Sequence, residues 1–396
     1  MQDGHVEQVL AKIDQNETIA FLQSIVRDEA SVNPPGDVRE SVRLASEKLS
    51  AEGFEVETIG DAEIIPNLIA TLRRGDGPTL LFNAHVDVVP TGEPTAWSHP
   101  PFAAEIADGR VYGRGAGDDK ASVTAQVMGA IALARSGVPF NGTLIVNVVG
   151  DEETGGRHGA KFVAENIRTR PDYAIVGEQT MNRVAVGERG FASTEVVVHG
   201  RAAHGALPQE GANAIEAMAE VIVALRRELW PALEARTHAY FNHSSASINM
   251  IQGGIKQNVV PDRCSIYIDR RIVPGESPDD NVREIRDIAE RAISAIPGTQ
   301  VEVRGLGLTP AMMSEPDSPV VQAMLEANGR LGLNTELTGF SMGTDGRHFA
   351  AVGIPTIIYG PGDPALAHIP DEWVGIDEVM EATRAYALAA LGILAP

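Results

Sequence analysis

TLIVNVVGDEETGG, residues 143–156, joins an apolar run rich in branched side chains, with Asn147 inside it, to three consecutive acids and a pair of glycines. A run of this length and make-up reads as a strand buried on both faces, which means a parallel strand covered by helices. Acids that end such a strand stand where an open parallel sheet binds its ligands, beyond the carboxyl ends of its strands. Adjacent carboxylates at a buried strand end repel each other unless a cation or a shared proton intervenes. By itself the segment could equally be a solvated acidic turn.

Working outward, TLLFNAHVDVV at 79–89 is a second buried strand, and 173–176 and 356–359 are shorter ones. Helical periodicity covers 6–29, 38–51, 122–134, 160–166, 320–331 and 378–391, with a break at Asn33-Pro34-Pro35-Gly36. Strands alternating with helices imply a largely parallel sheet with both faces covered. The pattern changes near Gly190. Alternating strands at 193–198, 246–251, 263–268 and 300–303 are separated by helices at 212–229 and 280–296. That β-α-β-β-α-β order is a ferredoxin-like α+β unit. The expected architecture is an α/β domain formed by 1–188 and 306–396, with an α+β domain inserted at 189–305.

The 396 residues are too many for one ordinary core, which fits two domains. Acidic residues outnumber basic ones by 54 to 32, for a net charge of −22. Such a surface repels phosphate backbones and anionic membranes, so nucleic acid and membrane are poor partners. An anionic small molecule would need a local cluster of Arg or Lys. The single cysteine, Cys264, lies in the strand pattern CSIYI and permits no intrachain disulfide. The N-terminal MQDGHVEQVL lacks the basic start and apolar run of a signal peptide, and no stretch is long and apolar enough for a membrane span, so a cytoplasmic location is expected.

Several polar residues stand at strand or helix ends. His85 and Asp87 form HVD, two apart and therefore on one side of a strand, so that one could bind a metal while the other steadies it. The alternative is a polar strand terminus. Asp118-Asp119-Lys120 follows a glycine-rich turn and opens a helix, where acids also serve as caps. Glu178 ends the strand in AIVGEQT, and His368 lies in the loop after PTIIYG. His85, Glu152, Glu153 and Glu178 all fall at carboxyl ends of strands, with His368 just past another, so they converge on one rim. Two histidines and several carboxylates without thiolates suit zinc, cobalt or manganese.

In order along nearly the whole chain run HVD (85), GRGAGDDK (113–120), DEETGG (151–156), VGEQ (176–179), GRAAH (200–204), NVVPD (258–262), DRRIVPGE (269–276), GTDGR (343–347) and AHIPDE (367–372). This set resembles the co-catalytic zinc peptidase and deacylase family that includes succinyl-diaminopimelate desuccinylase, acetylornithine deacetylase, aminoacylase and carboxypeptidase G. The resemblance implies a zinc-exopeptidase-like catalytic domain with an inserted lid and dimerisation domain, and two divalent metal ions per chain, zinc foremost, with cobalt or manganese as alternatives. It implies that Asp118 bridges both metals, that His85 and Glu178 complete one and Glu153 and His368 the other. Glu152 would be the general base for a metal-bridging water, and Asp87 would support the metal site. His204 would reach the active site of the partner in a homodimer. Arg189, Asn258, Arg271, Thr344 and Arg347 match substrate-contacting positions of the desuccinylase branch. The implied reaction is hydrolysis of the amide bond of a small N-acyl amino acid bearing a carboxylate. A dipeptidase or carboxypeptidase of the same family is the alternative, and a catalytically inactive binding homologue the remaining one.

Overall fold

The computed structural model describes residues 1–61, 63 and 65–395. The chain forms two compact units: Met1–Gly187 with Met313–Phe340 and Thr344–Pro396, and Glu188–Met312 with Ser341–Gly343.

The first unit is built on a mixed sheet. Its strands are β1 (Glu55–Asp61), β2 (Ile65–Arg74), β3 (Thr79–His85), β4 (Gly142–Val149), β5 (Tyr173–Gly177) and β6 (Thr356–Tyr359), in the spatial order β1-β2-β4-β3-β5-β6. β4, β3, β5 and β6 run parallel, so their carboxyl ends share one rim. β1 and β2 are antiparallel at one edge, and Ala185 pairs antiparallel with β6 at the other side. The centre is parallel, as the apolar runs imply, while the hairpin of β1 and β2 was not foreseen. Every residue of β3 and β4 is buried, because both faces are covered. Leu81 packs with Ile145, Val163 and Phe349 on one face. Its neighbour Phe82 points the other way and meets Tyr386 edge-on at 5.0 Å.

On that second face lie α1 (Lys120–Ser136) and α2 (Ile376–Leu394). α1 is buried without interruption from Lys120 to Leu133, the mark of a helix enclosed on all sides. Gly129 allows its close approach to α2: a β-carbon there would lie 2.9 Å from the carbonyl oxygen of Thr383.

The second unit is a four-stranded antiparallel sheet in the order Ser245–Gly253, Arg263–Ile272, Gly190–His199, Gln300–Thr309. The helices Ala214–Glu234 and Pro278–Ile293 pack on it through Met218, Val221, Leu225, Ile285 and Ile288. This is the ferredoxin-like order expected from the alternating pattern. Cys264 is buried in this core.

Three expectations are corrected in detail. The helix expected over 6–29 is two, Asp3–Leu10 and Gln15–Val26, because the Asp14 side chain accepts from Glu17 N at 2.8 Å and starts a new helix. The strand expected through residue 89 leaves the sheet at His85. Beyond it Val88 N donates to Ser31 O at 3.0 Å, and Asn33 N donates to Val88 O at 2.8 Å. The strand Gln300–Thr309 runs through the expected crossing near 305.

Candidate metal centre

The rim of the first unit gathers residues from five segments. β3 ends on His85, and α1 is preceded by Asp118 and Asp119. β4 runs into the turn Glu152–Thr154, β5 is followed by Glu178, and the loop after β6 carries His368. Asp151 and His368 adopt left-handed backbone conformations, with φ of 73° and 64°. One of these strained positions precedes the Glu152–Thr154 turn and the other is a donor residue itself.

The geometry centres on Asp118. His85 Nε2 lies 3.2 Å from Asp118 Oδ1, and His368 Nε2 lies 3.2 Å from both Asp118 Oδ2 and Glu153 Oε1. Two groups could hold a metal ion: His85, Asp118 and Glu178, and Asp118, Glu153 and His368. In each, the donor atoms lie within 4.8 Å of one another. Asp118 belongs to both. The His85 Nδ1 sits 3.0 Å from the Asp87 carbonyl oxygen. A carbonyl only accepts, so Nδ1 carries a proton; Nε2, without a cation between them, donates to Asp118, and it is the nitrogen left to face an ion.

Asp87 is fully buried and holds the frame. It accepts from Glu152 N and Glu153 N at 3.2 Å each and from Asn33 Nδ2 at 3.0 Å. Burial opposes its charge, but the bonds from His85, Asn33 and Glu153 N win and keep its pKa below the ordinary value.

The electrostatics call for a cation. Burial, reinforced by neighbouring carboxylates, drives Glu152 and Glu178 well above the usual carboxyl range. Burial pushes Glu153 up as well, and Asp119 up to about 8. Asp118 goes the other way: burial is outweighed by its bonds from His368 and His85. The His85 ring is opposed by burial yet held well above its ordinary pKa by Asp118 and Asp87. His368 is raised to about 10 by Asp118 and Glu153. Two bare charges about 4 Å apart repel by roughly 4 kcal/mol at an effective dielectric near 20. A hydrogen bond contributing about 1 kcal/mol does not offset that. Divalent cations do, and the imidazole and carboxylate donors suit them.

Some contributors escaped the sequence reading. Glu372 is fully buried, pairs with Arg114 at 2.5 Å and accepts from Gly117 N and Asp118 N at 3.0 Å each. It pins the turn that presents Asp118 from a position 254 residues away, and the AHIPDE motif was the only cue to it. Asp119 occupies the N-cap position of α1 but its side chain makes no capping bond: its Oδ2 accepts from His85 N at 3.4 Å. Asp345 is buried beside the turn of Glu152. A β-carbon on Gly156, whose φ is +70°, would come within 2.7 Å of its Oδ1.

The expected substrate contacts divide between the units. In the first, Arg347 Nη2 lies 4.0 Å from Glu152 Oε1, and Thr344 is buried with its hydroxyl accepting from Gly346 N at 2.9 Å. In the second, His204 is exposed and pairs in register with Val259, next to Asn258, whose carbonyl accepts from Gly205 N at 2.8 Å. Arg189 donates to the Phe241 carbonyl, and Arg271 pairs with Asp269 at 3.0 Å.

Comparison with known proteins bears on this centre. The sequence profile described as Peptidase family M20/M25/M40 matches residues 81–392. The chain is 30% identical to the succinyl-diaminopimelate desuccinylase of Paracoccus denitrificans (strain Pd 1222), over 90% of this chain and 93% of that one. It is 29% identical to the acetylornithine deacetylase of Myxococcus xanthus, over 88% and 91%. Among solved structures it is similar to the YXEP protein of Bacillus subtilis, a dinuclear metal binding peptidase from M20 family. The TM-score is 0.72 at 19% identity, covering 96% of this chain and 99% of that one. At that identity the likeness concerns the fold.

Proposed function

The chain belongs to peptidase family M20/M25/M40 and is a metal-dependent amidohydrolase, and we propose that it cleaves the amide bond of small N-acyl amino acids. The observation that carries this reading is the sharing of Asp118 between two donor groups, with the Glu152 carboxylate outside both. Two divalent ions, zinc in our reading, would be held by His85, Asp118 and Glu178 and by Asp118, Glu153 and His368. When bound, they supply Lewis acidity toward water and toward the substrate carbonyl. Glu152 takes the proton of the attacking water and returns it to the departing amine, and with the acid's own proton passing to the amine, amide and water become carboxylate and ammonium. Asp87 keeps the His85 ring in its metal-facing tautomer. We place this activity in the cytoplasm; among the described residues no helix is long and apolar enough to cross a membrane.

The test is a panel of N-acetyl and N-succinyl amino acids beside dipeptides, read as release of free amine. N-acyl amino acids should give the higher kcat/KM. Faster cleavage of dipeptides would replace the deacylase reading with a dipeptidase. Arginine forks bind carboxylates through paired charge-assisted hydrogen bonds. Arg271→Ala should therefore lower kcat/KM for substrates with a free carboxylate by roughly 10-fold or more, and less for matched amides, with metal content unchanged. Equal losses on both would assign Arg271 to its ion pair with Asp269.

The second unit acts in this reading as lid and dimerisation domain. Its edge strand Ser245–Gly253 exposes Met250 and Ile251, and an open edge pairs readily with a second copy. In a two-fold dimer each chain lends the exposed His204 to its partner's oxyanion site. Homodimers of His204→Ala and of Glu152→Ala should each be nearly inactive. Random re-association makes half the dimers mixed, each with one intact site, so activity should return to roughly a quarter of wild type. No recovery after verified subunit exchange would place the action of His204 within its own chain.

A further inference from the structure

The loop at residues 28–37 contains none of the metal-facing groups, yet it touches the residue that supports them. Asn33 is 7% exposed, and its Nδ2 donates to Asp87 Oδ2 at 3.0 Å and reaches Thr154 Oγ1 at 3.4 Å. Thr154 closes the turn that carries Glu152 and Glu153. One side-chain amide therefore spends its two hydrogens on the support carboxylate and on the turn that carboxylate holds. Asn33 is itself fixed by the chain it serves: its N–H donates to Val88 O at 2.8 Å, and Val88 N donates to Ser31 O at 3.0 Å. The buried Lys120 Nζ donates to Ser31 Oγ at 2.9 Å, tying the same loop to the start of α1.

The chemistry favours an amide here. Besides the main-chain bond, the Asp87 carboxylate faces the His85 ring, with Oδ1 3.5 Å from Nδ1, and its charge steers the ring while its two oxygens accept from Glu152 N and Glu153 N. A lysine or arginine at 33 would neutralise that charge. A neutral donor fixes the rotation of the carboxylate and leaves the charge available to His85. We propose that Asn33 is a positioning residue of the hydrolytic centre. Through its bond to Asp87 it sets the metal-facing orientation of His85 and the seat of the Glu152–Glu153 turn. This rests on the family's two-metal reading of the site.

Asn33→Ala, Asp87→Asn and the double variant are compared with wild type in two assays. One is turnover of the best N-acyl substrate; the other is release of bound zinc to a chromophoric chelator. Asn33→Ala should lower kcat or weaken zinc retention by ~10–100-fold, the range for partners of metal ligands, with KM changed less than about 3-fold. In the Asp87→Asn background the same substitution should add almost nothing, because residues acting through one another are non-additive. Losses that multiply, or a variant unchanged in both assays, would overturn the proposal. Should Asn33→Ala fail to fold, Asn33→Asp carries the test: it keeps the volume and the main-chain bonds but turns the donor into a second carboxylate. Its loss should be at least as large, and a wild-type profile would overturn the proposal. If no N-acyl substrate is turned over by wild type, the substrate reading fails and the zinc assay still decides on Asn33.

Discussion

Glu152→Gln is expected to lower turnover by at least ~100-fold while the protein keeps its metal content and its affinity for substrate. The amide is isosteric and cannot take a proton from water. The carboxylate it replaces lies in neither donor group around Asp118, so nothing that holds an ion is removed. Glu153→Gln is expected to behave differently, because Glu153 Oε1 lies 3.2 Å from His368 Nε2 within one of those groups. That variant should lose affinity for one ion. The two glutamates are adjacent, and their main-chain N–H groups share Asp87 as acceptor; only the side chains differ in direction. If the phenotypes are exchanged, base and ligand are misassigned by one residue. Kinetics and metal analysis on the two purified variants decide it.

The second large effect is the loss of the metals themselves. Exhaustive chelation should reduce activity to below ~1% of the starting rate, because without Lewis acidity neither water nor carbonyl is activated. Zinc, cobalt or manganese should restore it, since imidazole and carboxylate donors accept all three. The stripped protein should also show how burial and crowding act on Glu152, Glu178 and Asp119, whose carboxyls are all driven upward when no cation balances them. Full activity in the stripped protein would end the two-metal mechanism.

The fold was legible wherever burial is written along the chain. β3 and β4 are mostly apolar and buried at every position because both faces are covered, and the second unit alternates because one face of its sheet meets helices. The positions of His85, Glu153 and Glu178 follow from the same runs, since a polar residue ending a buried parallel strand has only the rim to occupy. What escaped has partners remote in sequence. Glu372 supports Asp118 from the far end of the chain, and Asn33 reaches Asp87 from a loop before the sheet begins. A Glu just past a Pro-Asp pair, or an Asn before a proline, reads locally as part of a turn. The break between the first two helices was available in principle: Asp14 followed by Glu17 is the spacing of a helix start. The pairing of Arg271 with Asp269, two positions apart on one strand face, was likewise open to a local reading.

The central claim is that one carboxylate, Asp118, serves two ions. Anomalous scattering at the zinc edge from crystals of the zinc-loaded protein tests it most directly. The account predicts two peaks per chain on either side of Asp118, one also beside His85 and Glu178, the other beside Glu153 and His368. A single peak, or two peaks of which only one touches Asp118, would contradict it.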